Sequence, residues 1–231
     1  MSTADVLKAA RTINRASAED CQAFDGTMVG NVVDALGRVG ALDPAVKPVT
    51  AAKTFVGSAL TVDAGPRDNL APWAALRLAK PGDILMIATG GHMAASVAGD
   101  LLMGMAKNAG VRAIVTDGVV RDLSGADAVG IPIFAAGISP NSPQKNGPGS
   151  VGLPVVVGGV AVRSGDIVCG DEDGVVVIPS DRIEDAKAEL ITVQKKEAGM
   201  EKAVQAGATA PAWLADEPLD AIFTFVDSNS Q

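Results

Sequence analysis

The strongest constraint in this sequence is an alternation of short apolar runs with segments of helical periodicity between residues 54 and 137. Strands are predicted for the runs TFVGSALTVDA (54–64), ILMIAT (84–89), RAIVTDG (112–118) and IPIFAAG (131–137). Helices are predicted between them, over residues 69–78, 96–109 and 122–129. Because this order requires parallel strands joined by right-handed crossovers, it predicts the core of a layered α/β domain.

After Gly137 the sequence loses this alternation. Residues 139–154, SPNSPQKNGPGSVGLP, are rich in turn formers and have no periodicity, which predicts a long loop of the kind that is often functional. The runs LPVVVGGVAV, DIVCG and VVVIP that follow predict antiparallel hairpins. We therefore expect a second, β-rich layer packed on the first.

The N-terminal 40 residues are predicted to form short helices over 4–13 and 28–36, with Ser17 and Asp20 resembling a capping box between them. We find no internal repeat and no low-complexity linker. The prediction is a single domain over residues 1–231, with N-terminal helices over 1–40, an α/β core over 50–180 and a C-terminal helical extension over 181–231.

The C-terminal extension begins with a helix that Ser180 or Asp181 caps and that is predicted to end near Ala206. Its segment KKEAGMEK is polar on all sides, so it does not belong in the core of its own chain. We expect this helix to lie against a neighbouring subunit. A mean hydropathy of +0.27 also favours a homo-oligomer, because Ala, Val and Gly must fill interior or contact surfaces.

Composition excludes several classes of function. The net charge is -8 and aromatic residues make up 3% of the chain, so basic patches and stacking platforms for nucleic acid are not expected. The longest apolar runs are too short to cross a bilayer, and residues 1–20 carry no apolar signal segment, which predicts a cytoplasmic protein. Cys21 and Cys169 match no metal-binding spacing, so we expect buried thiols and no thiolate-bound zinc.

Three segments that carry polar groups converge on the carboxyl ends of the predicted parallel strands, where open α/β sheets bind ligands. Gly90-Gly91-His92-Met93 follows the first strand, Gly99-Asp100-Leu101-Leu102 lies at the next helix, and Asp117 to Asp122 follows the second strand. None of these segments matches a dinucleotide or phosphate-loop fingerprint, which disfavours nucleotide binding. The acidic turn at Asp171, Glu172 and Asp173 is interpreted as a solvated hairpin turn.

Arg121 and Asp122 are the most informative pair. An arginine can hold a carboxylate or enolate oxygen, and an adjacent aspartate can hold a divalent cation with water in the other positions. Their alternative is a surface pair in which Asp122 caps the helix over 123–129. Asp100 faces a polar site beside an anion cradle at the amides of Leu101 and Leu102, or is a surface residue of its helix. His92, the single histidine, is an alternative general base, although a solvated or packed role is more common for such a residue.

Four runs resemble a known family in order and spacing: PGDILMIATGG, AGDLLMGMAKNAGVRAIVTDGVVRD, IPIFAAGISP and GDIVCGDEDGVVVIP. The family includes regulator of ribonuclease activity A and the 4-hydroxy-4-methyl-2-oxoglutarate and 4-carboxy-4-hydroxy-2-oxoadipate aldolases. The resemblance covers roughly residues 25–185. It implies a layered β/β/α swivelling-type α/β domain with a C-terminal helical extension, assembled into a homotrimer or homohexamer.

The resemblance also implies roles for individual residues. Asp122 would bind Mg²⁺ or Mn²⁺, Arg121 would contact substrate oxygens, and the amides of Leu101 and Leu102 would hold the pyruvyl carboxylate. Asp100, and Glu197 from the C-terminal helix of an adjacent subunit, would contact waters on the metal, with Glu201 as the second candidate for that glutamate. The ribonuclease regulators lack the C-terminal extension, so its presence favours an enzyme.

One position departs from the family pattern, which continues Arg-Asp with an acid three residues after the aspartate. Gly125 stands there, so a carboxylate is missing or Asp127 partly replaces it. The sequence therefore predicts a metal-dependent lyase that cleaves a 4-hydroxy-2-oxo acid to pyruvate and a second oxo compound, and that decarboxylates oxaloacetate as a side reaction. The alternative is a non-catalytic regulator of ribonuclease activity that acts by binding a protein.

Overall fold

The computed structural model describes residues 6–226. Its helices are α1 (Ala18–Gln22), α2 (Val29–Ala35), α3 (Leu70–Ala75), α4 (Asp100–Asn108), α5 (Leu123–Val129), α6 (Ile183–Gln205), α7 (Ala212–Ala215) and α8 (Leu219–Ile222). Its strands are β1 (Leu7–Ala9), β2 (Lys47–Pro48), β3 (Phe55–Asp63), β4 (Asp83–Ala88), β5 (Ser96–Ala98), β6 (Ala113–Thr116), β7 (Val119–Val120), β8 (Ile133–Ala135), β9 (Gly137–Ile138), β10 (Gly149–Val151), β11 (Val155–Val157), β12 (Val160–Val162), β13 (Ile167–Asp171) and β14 (Gly174–Ile178).

The main sheet has the strand order β1-β10-β3-β4-β6-β8-β2, with β13 and β14 joined at the side of β3. Strands β3, β4, β6 and β8 pair in parallel, as the alternation in the sequence predicts. The other strands on β3 are antiparallel: β13 pairs with its first residues and β10 with its last. Hence the β13–β14 hairpin extends this sheet, whereas β11 and β12 form the separate two-stranded layer.

A second parallel sheet, with the order β5-β7-β9, continues from the carboxyl ends of β4, β6 and β8. The helix predicted over 96–109 is wrong at its start, because Ser96–Ala98 is a strand that pairs with β7 and only Asp100–Asn108 is helical. A short apolar run does not distinguish a strand from a buried helical turn by periodicity alone. The small sheet brings the starts of α4 and α5 to the same edge.

Two apolar clusters lie on the two faces of the main sheet, because side chains alternate along each strand. One contains Leu85 and Ile87 of β4 with Leu102 and Met103 of α4. The other contains Met86 of β4 and packs against β11 and β12, and both clusters hold residues that are fully buried. The result is a β/β/α arrangement, which confirms the predicted fold class.

The N-terminal segment differs from its prediction. Leu7–Ala9 is a strand paired in parallel with β10, while positions 4 and 5 of the predicted helix lie outside the described residues. The Ser17 side chain accepts the Asp20 N–H at 3.0 Å, which confirms the capping prediction for α1. Whether a short amphipathic segment forms a helix or an edge strand depends on its pairing partner, which the local sequence does not contain.

Both thiols are buried and free, as predicted. Burial raises the pKa of the Cys169 thiol far above its ordinary value and also raises the pKa of Cys21. Asp171, in the acidic turn, accepts the Val29 N–H at 2.9 Å and the Asp173 N–H at 2.8 Å. This carboxylate therefore fixes the start of α2 and the hairpin turn.

The chain divides into two compact units between Leu190 and Ile191. The buried residues of α6 are Ile183, Ala186 and Leu190, all of which belong to the first unit. In the second unit neither α7 nor α8 buries a residue. Within residues 6–226 we find no helix with the length and apolar character needed to span a membrane. The single domain over 1–231 stays a prediction.

Candidate functional site

A cavity of about 120 Å³ lies at the carboxyl ends of β5 and β7, beside the first turn of α4. This volume is well below the roughly 300 Å³ at which pockets for drug-sized ligands begin, so the cavity suits a small metabolite. All of its lining residues lie between positions 69 and 145. The predicted site residues Asp100, Leu101, Leu102, Arg121 and Asp122 are in its wall.

Arg121 and Asp122 form an ion pair in this wall. Arg121 Nε donates to Asp122 Oδ2 at 3.1 Å, and Arg121 Nη1 donates to Ser142 Oγ at 2.7 Å. Ser142 belongs to the loop that the sequence predicts to be functional. The guanidinium is thus held from two sides, and the two side chains keep relative exposures of 34% and 43%, so both remain accessible to a ligand.

Asp122 adopts a left-handed backbone conformation, with φ of 60° and ψ of 46°. This conformation is uncommon for a residue with a side chain, although aspartate adopts it more readily than most. Asp122 occupies the N-cap position of α5, as the alternative predicts, but its side chain makes no capping hydrogen bond to the described residues. The carboxylate pairs with Arg121 instead, so only the capping role in that alternative is wrong.

Gly99 makes close approach to this carboxylate possible. A Cβ at position 99 would lie 2.4 Å from Asp122 Oδ2 and 3.3 Å from Arg121 Nε. Since a real Cβ does not approach an oxygen so closely, the ion pair in its observed position requires glycine at this point of the chain.

Asp100 lies at the start of α4, and its Oδ1 accepts the Leu101 N–H at 2.7 Å. The first backbone bond of this helix runs from Met103 N–H to Gly99 C=O at 3.1 Å, so the amides of Leu101 and Leu102 precede it. Amides of a first turn have no acceptor within their own helix, which makes them ready anion donors. The Asp100 carboxylate holds one of the two donors that the resemblance implies for a substrate carboxylate.

Gly125 and Asp100 are in direct contact. A Cβ at position 125 would lie 2.4 Å from Asp100 Oδ2 and 2.6 Å from Asp100 Cβ. The space that a side chain at 125 would need is therefore filled by Asp100. Asp127, the predicted substitute for an acid at 125, instead accepts the Ala51 N–H at 2.7 Å and thereby holds a neighbouring loop.

Two further residues of the cavity wall, Asn69 and Trp73, were not among the predicted site residues. In the part of the chain that the structure describes, Asn69 Oδ1 and Trp73 Nε1 are buried and have no hydrogen-bond partner. An amide and an indole within a predicted helix belong to no motif, so the sequence carried no signal for them. Lys145 brings a second cation to the cavity from the loop that the sequence predicts to be functional.

His92 and Asp117 belong to a different set of contacts. Asp117 accepts hydrogen bonds from Thr89 N at 2.7 Å, Thr89 Oγ1 at 2.9 Å and Gly91 N at 3.1 Å, which fixes the loop after β4. His92 N–H donates to Thr89 Oγ1 at 3.1 Å, and His92 does not line the cavity. The structure thus places His92 in the loop after β4, outside the lining of the cavity that contains Arg121 and Asp122.

Comparison with known proteins assigns the chain to a family. The family model described as "RraA-like: Aldolase/RraA" matches residues 29–177. The chain belongs to the RraA-like family. A protein of Halalkalibacterium halodurans named "Putative 4-hydroxy-4-methyl-2-oxoglutarate aldolase" is 36% identical over 173 residues, which cover 75% of this chain and 82% of the relative.

Solved structures of RraA-like proteins share the fold. Streptomyces coelicolor RraAS2, described as an unusual member of the RNase ES inhibitor RraA protein family, has a TM-score of 0.72 and 26% identity, with 81% of this chain and 99% of that chain covered. The RNA-processing inhibitor RraA of Thermus thermophilis has a TM-score of 0.62 and 27% identity, with coverages of 66% and 93%. The family therefore contains proteins named as aldolases and proteins named as inhibitors of RNA processing.

The donor set of the cavity fits a magnesium-type ion. Among residues 6–226 no group of three or more His, Cys, Asp or Glu side chains is arranged to hold a metal by itself. Asp100 and Asp122, however, place two carboxylates in one cavity. Mg²⁺ is commonly bound by one or two carboxylates, with waters and substrate oxygens in the remaining positions. Of the two, Asp122 would hold such an ion in this RraA-like protein, and Asp100 would contact its waters.

Glu197 and Glu201 lie in the part of α6 that belongs to the second compact unit. The role of Glu197 at the cavity of an adjacent subunit stays a prediction, as does the choice between the two glutamates.

Proposed function

We propose that this RraA-like protein is a divalent-metal-dependent aldolase that cleaves a 4-hydroxy-2-oxo acid to pyruvate and a second oxo compound. Substrates of this class include 4-hydroxy-4-methyl-2-oxoglutarate and 4-carboxy-4-hydroxy-2-oxoadipate. The observation that carries the proposal is the accessible Arg121–Asp122 pair, which lies in one small cavity with the first turn of α4. The name of the Halalkalibacterium halodurans relative supports the same reaction class.

Binding of the substrate uses groups that lie side by side. The amides of Leu101 and Leu102 donate to the carboxylate of the pyruvyl fragment, aided by the positive end of α4. Because Asp100 Oδ1 accepts the Leu101 N–H in the absence of substrate, the side chain of Asp100 rotates away when the carboxylate binds. Arg121 donates to the 2-oxo oxygen and stabilises the negative charge that develops there.

Asp122 would hold Mg²⁺ or Mn²⁺, with Asp100 in contact with its waters, and the ion when bound supplies Lewis-acid polarisation of the substrate oxygens. In the cleavage step the C3–C4 bond breaks and its electron pair stays on the pyruvyl fragment. The proton of the 4-hydroxyl goes to a carboxylate, for which we propose Glu197 of the partner subunit together with Asp100. That proton then returns to C3, so that pyruvate is formed and the catalytic residues are restored.

The same residues would decarboxylate oxaloacetate. In that reaction the C3–C4 bond breaks, carbon dioxide leaves, and the electron pair stays on the pyruvyl fragment. No hydroxyl proton is transferred to a base, so the proton that C3 takes up to form pyruvate comes from solvent. Arg121 again faces the oxygen on which negative charge develops. We propose this activity as a side reaction of the aldolase site.

The direct test measures pyruvate release from a 4-hydroxy-2-oxo diacid with Mg²⁺ and a coupled dehydrogenase. We expect EDTA to abolish the activity and Asp122→Ala to lower kcat/KM about 1,000-fold, because a charged site group is lost. Glu172→Gln, in the acidic hairpin turn, is the matched control and keeps full activity. Activity that survives both EDTA and Asp122→Ala would reject the proposal.

A second candidate function is regulation of RNA processing by protein binding, which the Thermus thermophilis and Streptomyces coelicolor neighbours favour by their descriptions. It predicts capture of a ribonuclease by the full-length protein and no pyruvate formation from any 4-hydroxy-2-oxo acid. The decisive comparison is inhibition of a purified ribonuclease E-type enzyme by wild type and by Asp122→Ala. Equal inhibition by both, with no aldol cleavage by wild type, would establish the regulator in place of the aldolase.

A further inference from the structure

We propose that Asn69 and Trp73 form a subsite that binds a hydroxyl group on the ligand. Asn69 Oδ1 would accept the hydroxyl proton, and Trp73 Nε1 would donate to the hydroxyl oxygen. This inference rests on the proposed function for one detail, namely that the hydroxyl is the one on C4 of an oxo acid.

Asn69 is held so that its oxygen remains available. Its side chain is 94% buried, with 6% exposure, and Nδ2 donates to the Val97 carbonyl at 3.2 Å. That bond identifies the nitrogen end of the amide, because a carbonyl accepts only from a donor. Asn69 N–H donates to the Gln144 carbonyl at 3.0 Å, which fixes the residue from the other side. Oδ1 is therefore a buried acceptor that has no partner among residues 6–226, on a residue that lines the cavity.

Trp73 supplies the complementary donor. Its backbone N–H donates to the carbonyl of Asn69, the N-cap residue of α3, at 3.3 Å, so the two residues are separated by one turn. Within residues 6–226 the buried indole Nε1 has no hydrogen-bond partner, and Trp73 also lines the cavity. Buried polar atoms are normally hydrogen-bonded, so two such atoms on residues of one cavity wall are explained when a ligand satisfies both.

The chemistry of the two atoms selects the ligand group. A carboxylate has no proton to give to Asn69, and an ammonium has no lone pair for the Trp73 N–H. A hydroxyl has one proton and two lone pairs, so it satisfies both residues at once. Arg121 and Lys145 in the same cavity favour an acid. The ligand class is accordingly a small hydroxy acid.

The first experiment measures binding and does not depend on turnover. Trp213→Phe leaves Trp73 as the remaining tryptophan, and its fluorescence is followed during titration with malate and with succinate, which differ by one hydroxyl. Calorimetry measures the affinities for malate and for succinate in both variants, with and without the Trp73→Phe substitution. We expect malate to bind about tenfold more tightly than succinate, the typical effect of one hydrogen bond, and Trp73→Phe to abolish this preference.

The second experiment compares two reactions of the same enzyme. We expect Trp73→Phe to lower kcat/KM for the 4-hydroxy-2-oxo acid about tenfold, whereas oxaloacetate decarboxylation changes less than twofold because that substrate has no hydroxyl. Both reactions are measured relative to Trp213→Phe, the parent of the fluorescence variants, so that any effect of replacing the exposed Trp213 cancels. A merely structural role for Trp73 would lower both reactions equally.

The outcomes separate the two proposals. A preference for malate that depends on Trp73, with no aldol cleavage, supports the hydroxyl subsite and rejects the aldolase. Aldol cleavage with equal losses in both reactions for Trp73→Phe supports the aldolase and rejects the subsite. Equal affinities for malate and succinate, or binding of neither, also overturn the subsite.

Discussion

The cavity region and the C-terminal unit are built in opposite ways. The cavity takes its residues from positions 69–145 and stands on strands whose apolar side chains are fully buried. The second unit, from Ile191 onward, has no buried residue among its described helical residues. It exposes large apolar side chains instead, namely Ile191, Met200, Val204, Trp213, Leu219, Ile222, Phe223, Phe225 and Val226.

The two regions depend on different surfaces for their stability. Gly99 leaves room for the Asp122 carboxylate beside Arg121, and both charged side chains remain partly exposed. A helical segment that buries nothing in its own unit gains stability only from another surface, and exposed apolar groups of this number mark protein contacts. We propose that a second copy of this chain supplies that surface, in keeping with the predicted trimer or hexamer.

The strongest loss of activity is predicted at Glu197. It tests whether the second unit supplies a catalytic group in addition to a subunit contact. We expect Glu197→Gln to lower kcat about 1,000-fold, the scale of a lost general base, while affinity for pyruvate with Mg²⁺ stays within threefold. Glu201→Gln is the matched control and stays within threefold of wild type in kcat. Stopped assays of both variants give the comparison.

A mixing experiment extends this test to the subunit boundary. We expect Glu197→Gln and Asp122→Ala each to lose activity about 1,000-fold when assembled alone. A hybrid assembly, however, contains sites with intact Asp122 from one subunit and intact Glu197 from its neighbour. We expect activity to return on mixing and refolding the two variants together. If no activity returns although hybrids form, Glu197 acts within its own chain or not at all.

The next prediction concerns the cavity, where Gly99 lies close to the Asp122 carboxylate. We expect Gly99→Ala to weaken Mg²⁺ affinity about 100-fold, because its Cβ would lie 2.4 Å from Asp122 Oδ2 and displace the carboxylate. Gly104→Ala, whose Cβ would meet only Val129 at 3.8 Å, is the matched control. Titration calorimetry with Mg²⁺ measures both, and equal affinities would contradict the assigned position of Asp122.

A smaller loss is expected for Gly125→Ala. The new Cβ would lie 2.6 Å from Asp100 Cβ, which side-chain rotation cannot move, so α4 and α5 must shift apart and carry Asp100 with them. We therefore expect kcat/KM to fall about tenfold, although alanine by itself favours the helix. Gly30→Ala in α2, where a Cβ meets nothing within 4 Å, serves as the control. An unchanged kcat/KM would show that the contact between positions 125 and 100 has no influence on turnover.

The smallest effect is a pH dependence at the start of α6, within the first unit. Hydrogen bonds from Lys187 and Ser17 lower the pKa of Asp20 below its ordinary value of 3.8. Asp20 therefore stabilises the fold above its unfolded-state pKa, and this contribution is lost as pH falls through the lower folded-state pKa. We expect Asp20→Asn to reduce Tm slightly at pH 7 and the difference from wild type to vanish in strong acid.

Thermal melts followed by circular dichroism from pH 2 to pH 7 measure this difference, with Glu19→Gln in the same turn as the control. Because the pair is partly exposed, about 0.15 M salt should shrink the difference further. A difference that grows toward low pH would contradict the assigned direction.

The parallel core was predictable because its strands are continuous apolar runs separated by segments of helical periodicity. This pattern does not depend on how individual side chains pack. Arg121 and Asp122 were found by their type and by their place after a strand. Ser96–Ala98 was assigned wrongly because three residues cannot reveal a pairing partner that lies more than twenty positions away. The same limit explains Leu7–Ala9, whose partner is β10.

Fold class, family and the charged pair after a strand could be inferred from the amino-acid sequence, because each depends on the type and order of residues within short segments. The structure was needed to show that Asp122 adopts a left-handed backbone and pairs with Arg121, that Asp100 fills the space beside Gly125, and that Asn69 and Trp73 line the same cavity. Residue order does not reveal these arrangements, because close packing sets both the backbone conformation at a single position and the contacts between separate elements such as α4 and α5.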